Sequence, residues 1–359
     1  FNFSLNCFIQ AFLLFISQKS IMDMNSKTIF ELSKENTDFK KIIMDNFVED
    51  QFLERLVKNQ VLYPSLQNLD RMNSDNLTSL KNKIKKILEE EYLVDTEKKT
   101  KWTLELFNKL NVKCMLHKFP YYSREQSDID VLIPIDKESL VLEELKKENF
   151  SPIAFEPFKT AMSRKEGNSK FTIHVHTKIK WESEFISTLD VWERSQTITY
   201  SNHSIQIPSF EDAVLIECAH SIFENRVVRF CDLFQFVNLL KNEIDWNLVL
   251  SRLVYYNFPA VGFLYLHIIN ELMNDFFSEK PIPNDFLLKL KKNIPKIENQ
   301  FCIKPILEEL KSRNSMPVKI KLTSSAILFL TYNRRLGVKK FFWALNILFS
   351  AGLSRLKNS

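Results

Sequence analysis

Two hydrophobic rhythms run along this chain. From Asn25 to Glu97, apolar residues recur at spacings of three and four: Ile29, Leu32, Ile42, Ile43, Phe47, Phe52, Leu53, Leu56 and Val57. That is the period of helices with one buried face. Residues 81–93 continue it with a solvated side rich in Lys and Glu. Residues 102–110 predict another helix, leading into a strand at 112–116. At Ser127-Asp128-Ile129-Asp130-Val131-Leu132-Ile133-Pro134 the period falls to two, as in a strand whose side chains alternate faces. Helix returns at 140–147. Phe155, Phe158 and a loop at 163–170, holding Gly167-Asn168, precede a strand containing His174-Val175-His176. Ile205-Gln206-Ile207 is a last short strand. Ser209 then stands where it can cap a helix, with Asp212 three residues on. Further helices are predicted at 227–240, 246–255, 261–277 and 285–290. The order predicts an α+β fold, a small mixed β-sheet with helices on one side, flanked by helical N- and C-terminal regions.

The strand at 127–134 carries the only Asp-x-Asp of the chain. Asp128 and Asp130 project to one face, while Ile129, Val131 and Ile133 take the other. Carboxylates held so close repel unless a cation lies between them. Paired divalent ions, roughly 3.5–4 Å apart, clamp the attacking and leaving oxygens of phosphoryl or nucleotidyl transfer. The plainer alternative is two solvated aspartates at a strand end. Neutralising either one is expected to abolish such transfer at little cost in stability, since it relieves like-charge repulsion. His174 and His176 also share a face, and imidazole suits zinc or manganese better than magnesium.

Three stretches resemble a known family. They are Lys118 to Ile133, then Phe171 to Trp181 with its His174-Val175-His176, then Pro208 to about Leu240. Together they resemble the polymerase-β-like nucleotidyltransferase superfamily, and within it an uncharacterised bacterial and archaeal family with a helical C-terminal region. The resemblance implies a metal-dependent enzyme that moves a nucleoside monophosphate from a nucleoside triphosphate to an acceptor that the sequence does not name. It implies two metal ions, Mg2+ or Mn2+, on Asp128 and Asp130, with His174 or His176 completing the shell or acting as a base. Lys118, Ser123, Arg124 and Ser127 would contact the nucleotide. Two positions depart from the family. His117-Lys118 occupies the turn where relatives have Gly-Ser or Gly-Gly, so Lys118 stands in as a point-charge phosphate ligand. His174 stands where relatives often have an acid. Either Glu182 or Glu184 supplies the third carboxylate, or the metal differs, or turnover is impaired. The resemblance also gives His220, Arg229 and Asp232 recurring polar positions in a helical region that commonly closes over the nucleotide; the alternative is that His220 and Asp232 satisfy one another or backbone groups within a helix pair.

Composition changes the picture at the two ends. With 359 residues, 45% hydrophobic and 26% charged, the chain has the make-up of a folded protein with sizeable cores. Its five cysteines are scattered without a Cys-x-x-Cys pair, as expected of reduced thiols in the cytoplasm. Phe8–Ile16 is too short for a membrane span and no basic region precedes it, so residues 1–21 are expected to be an upstream read-through or incidental extension ahead of a natural start at Met22 or Met24. Ten of the 49 Lys and Arg lie beyond Leu310, with no Asp or Glu among them. The preceding part therefore carries 39 basic against 44 acidic residues. Arg334, Arg335, Lys339 and Lys340 border apolar and aromatic runs there, which suits an anionic membrane surface or RNA, or else a packed terminal helix.

The expected organisation is thus an extension (1–24), a helical region (25–97), a nucleotidyltransferase core (98–207), a helical domain (208–309) and a basic apolar tail (310–359). The rival to an enzyme is a non-catalytic nucleotide-binding or scaffold protein, cytoplasmic and peripheral to a membrane.

Overall fold

The computed structural model describes residues 78–91, 96–118, 128–166, 169–180, 185–200, 203–225, 227–277 and 279–295, with isolated positions at 53–66 and 303–319. The extension 1–24, most of the first helical stretch and nearly all of the tail 310–359 lie outside the described residues. So do Ser123, Arg124, Ser127, Glu182 and Glu184.

Helices α1 (Thr78–Glu91) and α2 (Thr96–Lys109) lead into β1 (Met115–Leu116), and α3 (Glu138–Lys147) follows β2 (Asp128–Leu132). In a chain with four glycines, asparagine ends three of the described helices. Asn111 after α2, Asn149 after α3 and Asn257 after α7 (Trp246–Tyr255) have φ of 51°, 66° and 61°. Among non-glycine residues asparagine tolerates this left-handed conformation best. In each case the next amide reaches back five residues: Val112 to Phe107 O, Phe150 to Leu145 O and Phe258 to Leu253 O. Each pair is buried in the core, so one device stops the helix and anchors it.

The main sheet has the order β1-β2-β5-β4-β3, where β3 is Ser151–Glu156, β4 is Lys159–Glu166 and β5 is Ser169–His176. β2 and β5 are parallel and the other pairs antiparallel, so the sheet is mixed. On one face Ile129, Val131, Ile133, Ile173 and Val175 pack with Phe107 of α2 and with Val141 and Leu145 of α3. The expected loop at 163–170 is instead largely strand, since Ser163–Glu166 pairs with Ser169–Thr172. Thr160, Ala161, Met162 and Ser163 are all buried, so β4 shows no alternation that the eye can follow in sequence. β3 escaped notice for the opposite reason: it is an edge strand, exposed throughout. Helices do not lie on one side alone. The face opposite α2 and α3 meets the helical region, where Met115 and Leu132 join the larger core. Ile205-Gln206-Ile207 is strand as expected, but in a separate hairpin of β6 (Gln196–Tyr200) and β7 (His203–Ile207).

α4 (Thr188–Glu193) precedes that hairpin, and α5 (Phe210–Ala219), α6 (Phe230–Leu239), α7, α8 (Pro259–Phe277) and α9 (Asn284–Lys292) build the helical region. Ser209 caps α5 by accepting from the Asp212 amide, as its sequence predicts. The Asp212 carboxylate is wholly buried between Arg194 Nε at 2.8 Å and Arg252 at 3.0 Å. Arg194 also donates to Tyr256, whose hydroxyl donates to Asp190, so α4, α5 and α7 are clamped together. At Gly262 the backbone of α8 comes so near α7 that a Cβ would stand 2.7 Å from Leu253. Asp232 caps α6, accepting from the backbone amide and the side chain of Arg229, so a backbone group is among its partners. Val318–Lys319 pairs antiparallel with β8 (Val227–Val228).

Candidate functional site

The register of β2 and β5 assembles the site. Asp128 lies opposite Thr172, Asp130 opposite His174 and Leu132 opposite His176. On the other flank of β5, Lys159 of β4 lies opposite His176. Neighbours in register point to the same face, so these polar side chains converge on the side turned to the helical region. Asp130 is 5% exposed and sits at the centre. Its Oδ1 lies 2.9 Å from His176 Nε2, 3.2 Å from His174 Nδ1 and 3.3 Å from Lys118 Nζ. His174 Nδ1 is also 3.4 Å from Asp128 Oδ2. Lys118 is delivered by β1, which runs antiparallel to β2.

The electrostatics follow from that crowding. Burial alone would push the Asp130 carboxyl up. The Lys118 charge and the hydrogen bonds from His174 and His176 outweigh it and hold the group well below its ordinary range. Burial pulls Lys118 down, but Asp130, Glu224 and Asp128 more than offset it and its pKa is raised. His176 is lowered, chiefly by burial and against the pull of Asp130, so its ring is neutral near pH 7. His117 lies further in, its ring centroid 4.3 Å from that of His176. Burial first, and the neighbouring His176 second, lower it far below the usual imidazole value.

A second carboxylate faces this group from the helical region. α5 runs on into a π-helical turn, His220–Asn225, a widened geometry that recurs at functional sites. His220 Nε2 lies 3.2 Å from Glu224 within this turn. Glu224 also reaches Lys118 at 3.4 Å and Lys159 at 3.1 Å. Burial opposes ionisation of Glu224, but the His220 hydrogen bond and the Lys118 charge hold its carboxyl far below the ordinary range. Next to Lys159, Phe158 has φ 72°, a strained value for an aromatic residue. Its carbonyl accepts from the Thr177 amide at 2.9 Å, and Lys178 and Lys180 lie over its ring.

The structure therefore brings together Lys118, Asp128, Asp130, His174 and His176, while Ser123, Arg124 and Ser127 lie outside the described residues. Two ligand-bearing groups share Asp130: Asp128, Asp130 and His174 in one, and His117, Asp130 and His176 in the other, with ligand atoms within 4.8 Å in each. Glu224, Lys159 and His117 were missed as site residues. His220 and Glu224 are four apart, which on a helix marks a pair. Lys159 gave no such signal, because its place depends on the unrecognised strand β4.

A family described as "Uncharacterised nucleotidyltransferase" matches residues 49–274, well over half of the chain. No curated protein matches. Among solved structures, the lincomycin-bound lincosamide antibiotic adenylyltransferase LnuA is 18% identical, covering 40% of this chain and 96% of that one, with a TM-score of 0.32. The solution structure of the antibiotic-resistance factor ANT(2'')-Ia is 9% identical, covering 46% and 93%, with a TM-score of 0.36. Neither likeness bears on any residue of the site. The match over 49–274 takes in the Asp128–Asp130 strand, the histidine strand and the helices that face them, and with it the chain belongs to the family of uncharacterised nucleotidyltransferases.

Proposed function

We propose that this protein transfers a nucleoside monophosphate from a nucleoside triphosphate to an acceptor and depends on Mg2+ or Mn2+ to do so. The observation that carries the reading is the convergence of Asp128, Asp130 and His174 across parallel neighbouring strands. The donor set suits a divalent cation: two carboxylates and one imidazole nitrogen, all on one face. A nitrogen donor favours Mn2+ over the oxygen-seeking Mg2+. Bound there, the ion supplies charge for the phosphate oxygens and orients the attacking and leaving oxygens.

The protein's own groups then have distinct tasks. Asp128, half-buried, and His174 present donors toward the open side of the group. His176, buried and bonded to Asp130, holds that carboxylate in place rather than meeting substrate. Lys118 is the cation nearest the carboxylates and contacts the triphosphate, a point charge in place of a glycine-backed amide cradle. Lys159 extends that positive lining, and Glu224 holds both lysines, with His220 beside it, while no phosphate is present. An acceptor nucleophile attacks the α-phosphorus, the bond to the bridging oxygen of the β-phosphate breaks, and pyrophosphate leaves. Burial of Asp130 and Lys118 strengthens each charge interaction relative to water.

The test is to incubate the protein with each α-labelled triphosphate, Mn2+ or Mg2+, and a cell extract, and to find where label settles. Transfer by the parent, and none by Asp128→Asn with an intact fold, is expected. No transfer with any triphosphate refutes it and favours the non-catalytic reading, whereas full transfer by Asp128→Asn refutes the role given to that carboxylate. No described helix is long and apolar enough to cross a membrane.

A further inference from the structure

His117 is 2% exposed, and among the described residues neither of its ring nitrogens has a hydrogen-bond partner. A neutral imidazole carries one donor and one acceptor, and leaving both unmet in the interior is costly. The ring is not merely packed among apolar groups. It stands against His176, and a ligand atom of His117 lies within 4.8 Å of those of His176 and Asp130. All three residues are buried.

We propose that His117, His176 and Asp130 form a buried binding site for a transition-metal ion of the Zn2+ type, distinct from the outer group of Asp128, Asp130 and His174. Two imidazoles and one carboxylate are a ligand set that zinc accepts, with a fourth position open. Mg2+ is ill-suited, since it keeps oxygen ligands and several waters. The ion takes up the lone pair of His117 that the fold leaves without a partner. It also takes the place of the His176 hydrogen bond to Asp130, so Nε2 of His176 must present its lone pair and carry the ring proton on Nδ1. Lys118, 3.3 Å from Asp130 and 3.4 Å from Glu224, has a second carboxylate to turn to when a cation arrives. Asp130 has two oxygens, so it can serve this inner site and the outer group together. The site rests on His117, a residue to which the proposed transfer assigns no part.

The experiment uses the full chain, stripped of metal and then dialysed with Zn2+ alone or with Zn2+ and excess Mg2+. One zinc per chain is expected by elemental analysis in both cases. His117→Gln should weaken retention by at least about tenfold, as losses around metal ligands do, while His174→Ala retains zinc. X-ray absorption on the zinc of the parent protein gives a readout that needs no variant to fold, and two imidazoles in the first shell are expected. No zinc retained, a shell with one imidazole or none, or loss in His174→Ala with retention in His117→Gln would overturn the assignment.

Discussion

Replacing Asp130 by Asn tests the electrostatic account most directly. The carboxylate stands 3.3 Å from Lys118 Nζ and within hydrogen-bond reach of two imidazoles, with its side chain 4% exposed. Simple relief of like-charge repulsion with Asp128 would make the change nearly free, which is what the sequence alone leads one to expect. The geometry reverses that expectation, because Asp130 is surrounded by one cation and two donors. Removing one partner of a buried pair costs about 3–5 kcal/mol, and the low end applies here because Glu224 remains beside Lys118. Asp128, whose side chain is 33% exposed and lies 3.4 Å from His174, should cost within about 0.5 kcal/mol when changed to Asn. Asp130 has a folded pKa below its unfolded one. Its stabilisation is therefore complete above the unfolded value of about 3.9 and is lost as pH falls through the folded value. Urea denaturation at pH 7 and at progressively lower pH, with circular dichroism as probe, should show a gap between the parent and Asp130→Asn that narrows below about pH 4. Adding Lys118→Met to Asp130→Asn should recover much of the loss, since the two sites are coupled. A cost for Asp130→Asn no larger than that for Asp128→Asn, or a gap independent of pH, refutes the reasoning.

Three further outcomes are expected. Transfer by the parent protein should run faster with Mn2+ than with Mg2+, and His174→Asp should restore preference for Mg2+; equal rates with both ions and no effect of the substitution would leave His174 a structural role. Glu224→Gln should lower the stability of the ligand-free protein by about 1–3 kcal/mol, by leaving charged partners unmatched, and should tighten binding of inorganic triphosphate, read by thermal denaturation with and without it; weaker triphosphate binding would mean that Glu224 organises the cations rather than restrains them. In the tail, changing Arg334, Arg335, Lys339 and Lys340 to Gln should weaken pelleting with anionic vesicles by several powers of ten at low salt, on the basis of about 1 kcal/mol per basic residue; equal pelleting by the variant, or binding indifferent to lipid charge, would return the tail to a packed helix.

The α+β organisation was legible because its helices and β2 keep clean periods. The capped start of α5 was legible from Ser209 and Asp212 alone. β4 was hidden because Thr160, Ala161, Met162 and Ser163 are buried on both faces and so show no alternation of apolar and polar positions. With β4 unseen, Lys159 had no route to the site. The carboxylate and histidine pairs were visible because same-face spacing on a strand is a local property. Glu224 was not, because its role depends on a π-helical turn and on how the helical region faces the sheet, which no local pattern encodes. His220 was noticed, but its contact with Glu224, four residues on, was not.

The parallel pairing of β2 with β5 has a consequence for how the chain reaches its native state. Asp130 and His174 are 44 residues apart in sequence, and α3, β3 and β4 lie between them. Their contact closes across that whole crossover, and non-local closures of this kind are slow. Until then Asp130 is an ordinary solvated carboxylate and Lys118 an ordinary amine. The polar centre cannot nucleate folding; the apolar residues on the opposite face of β2 and β5 must do that. Competence for chemistry is in this sense the last property the domain acquires, and it is a stricter reporter of finished folding than helix content.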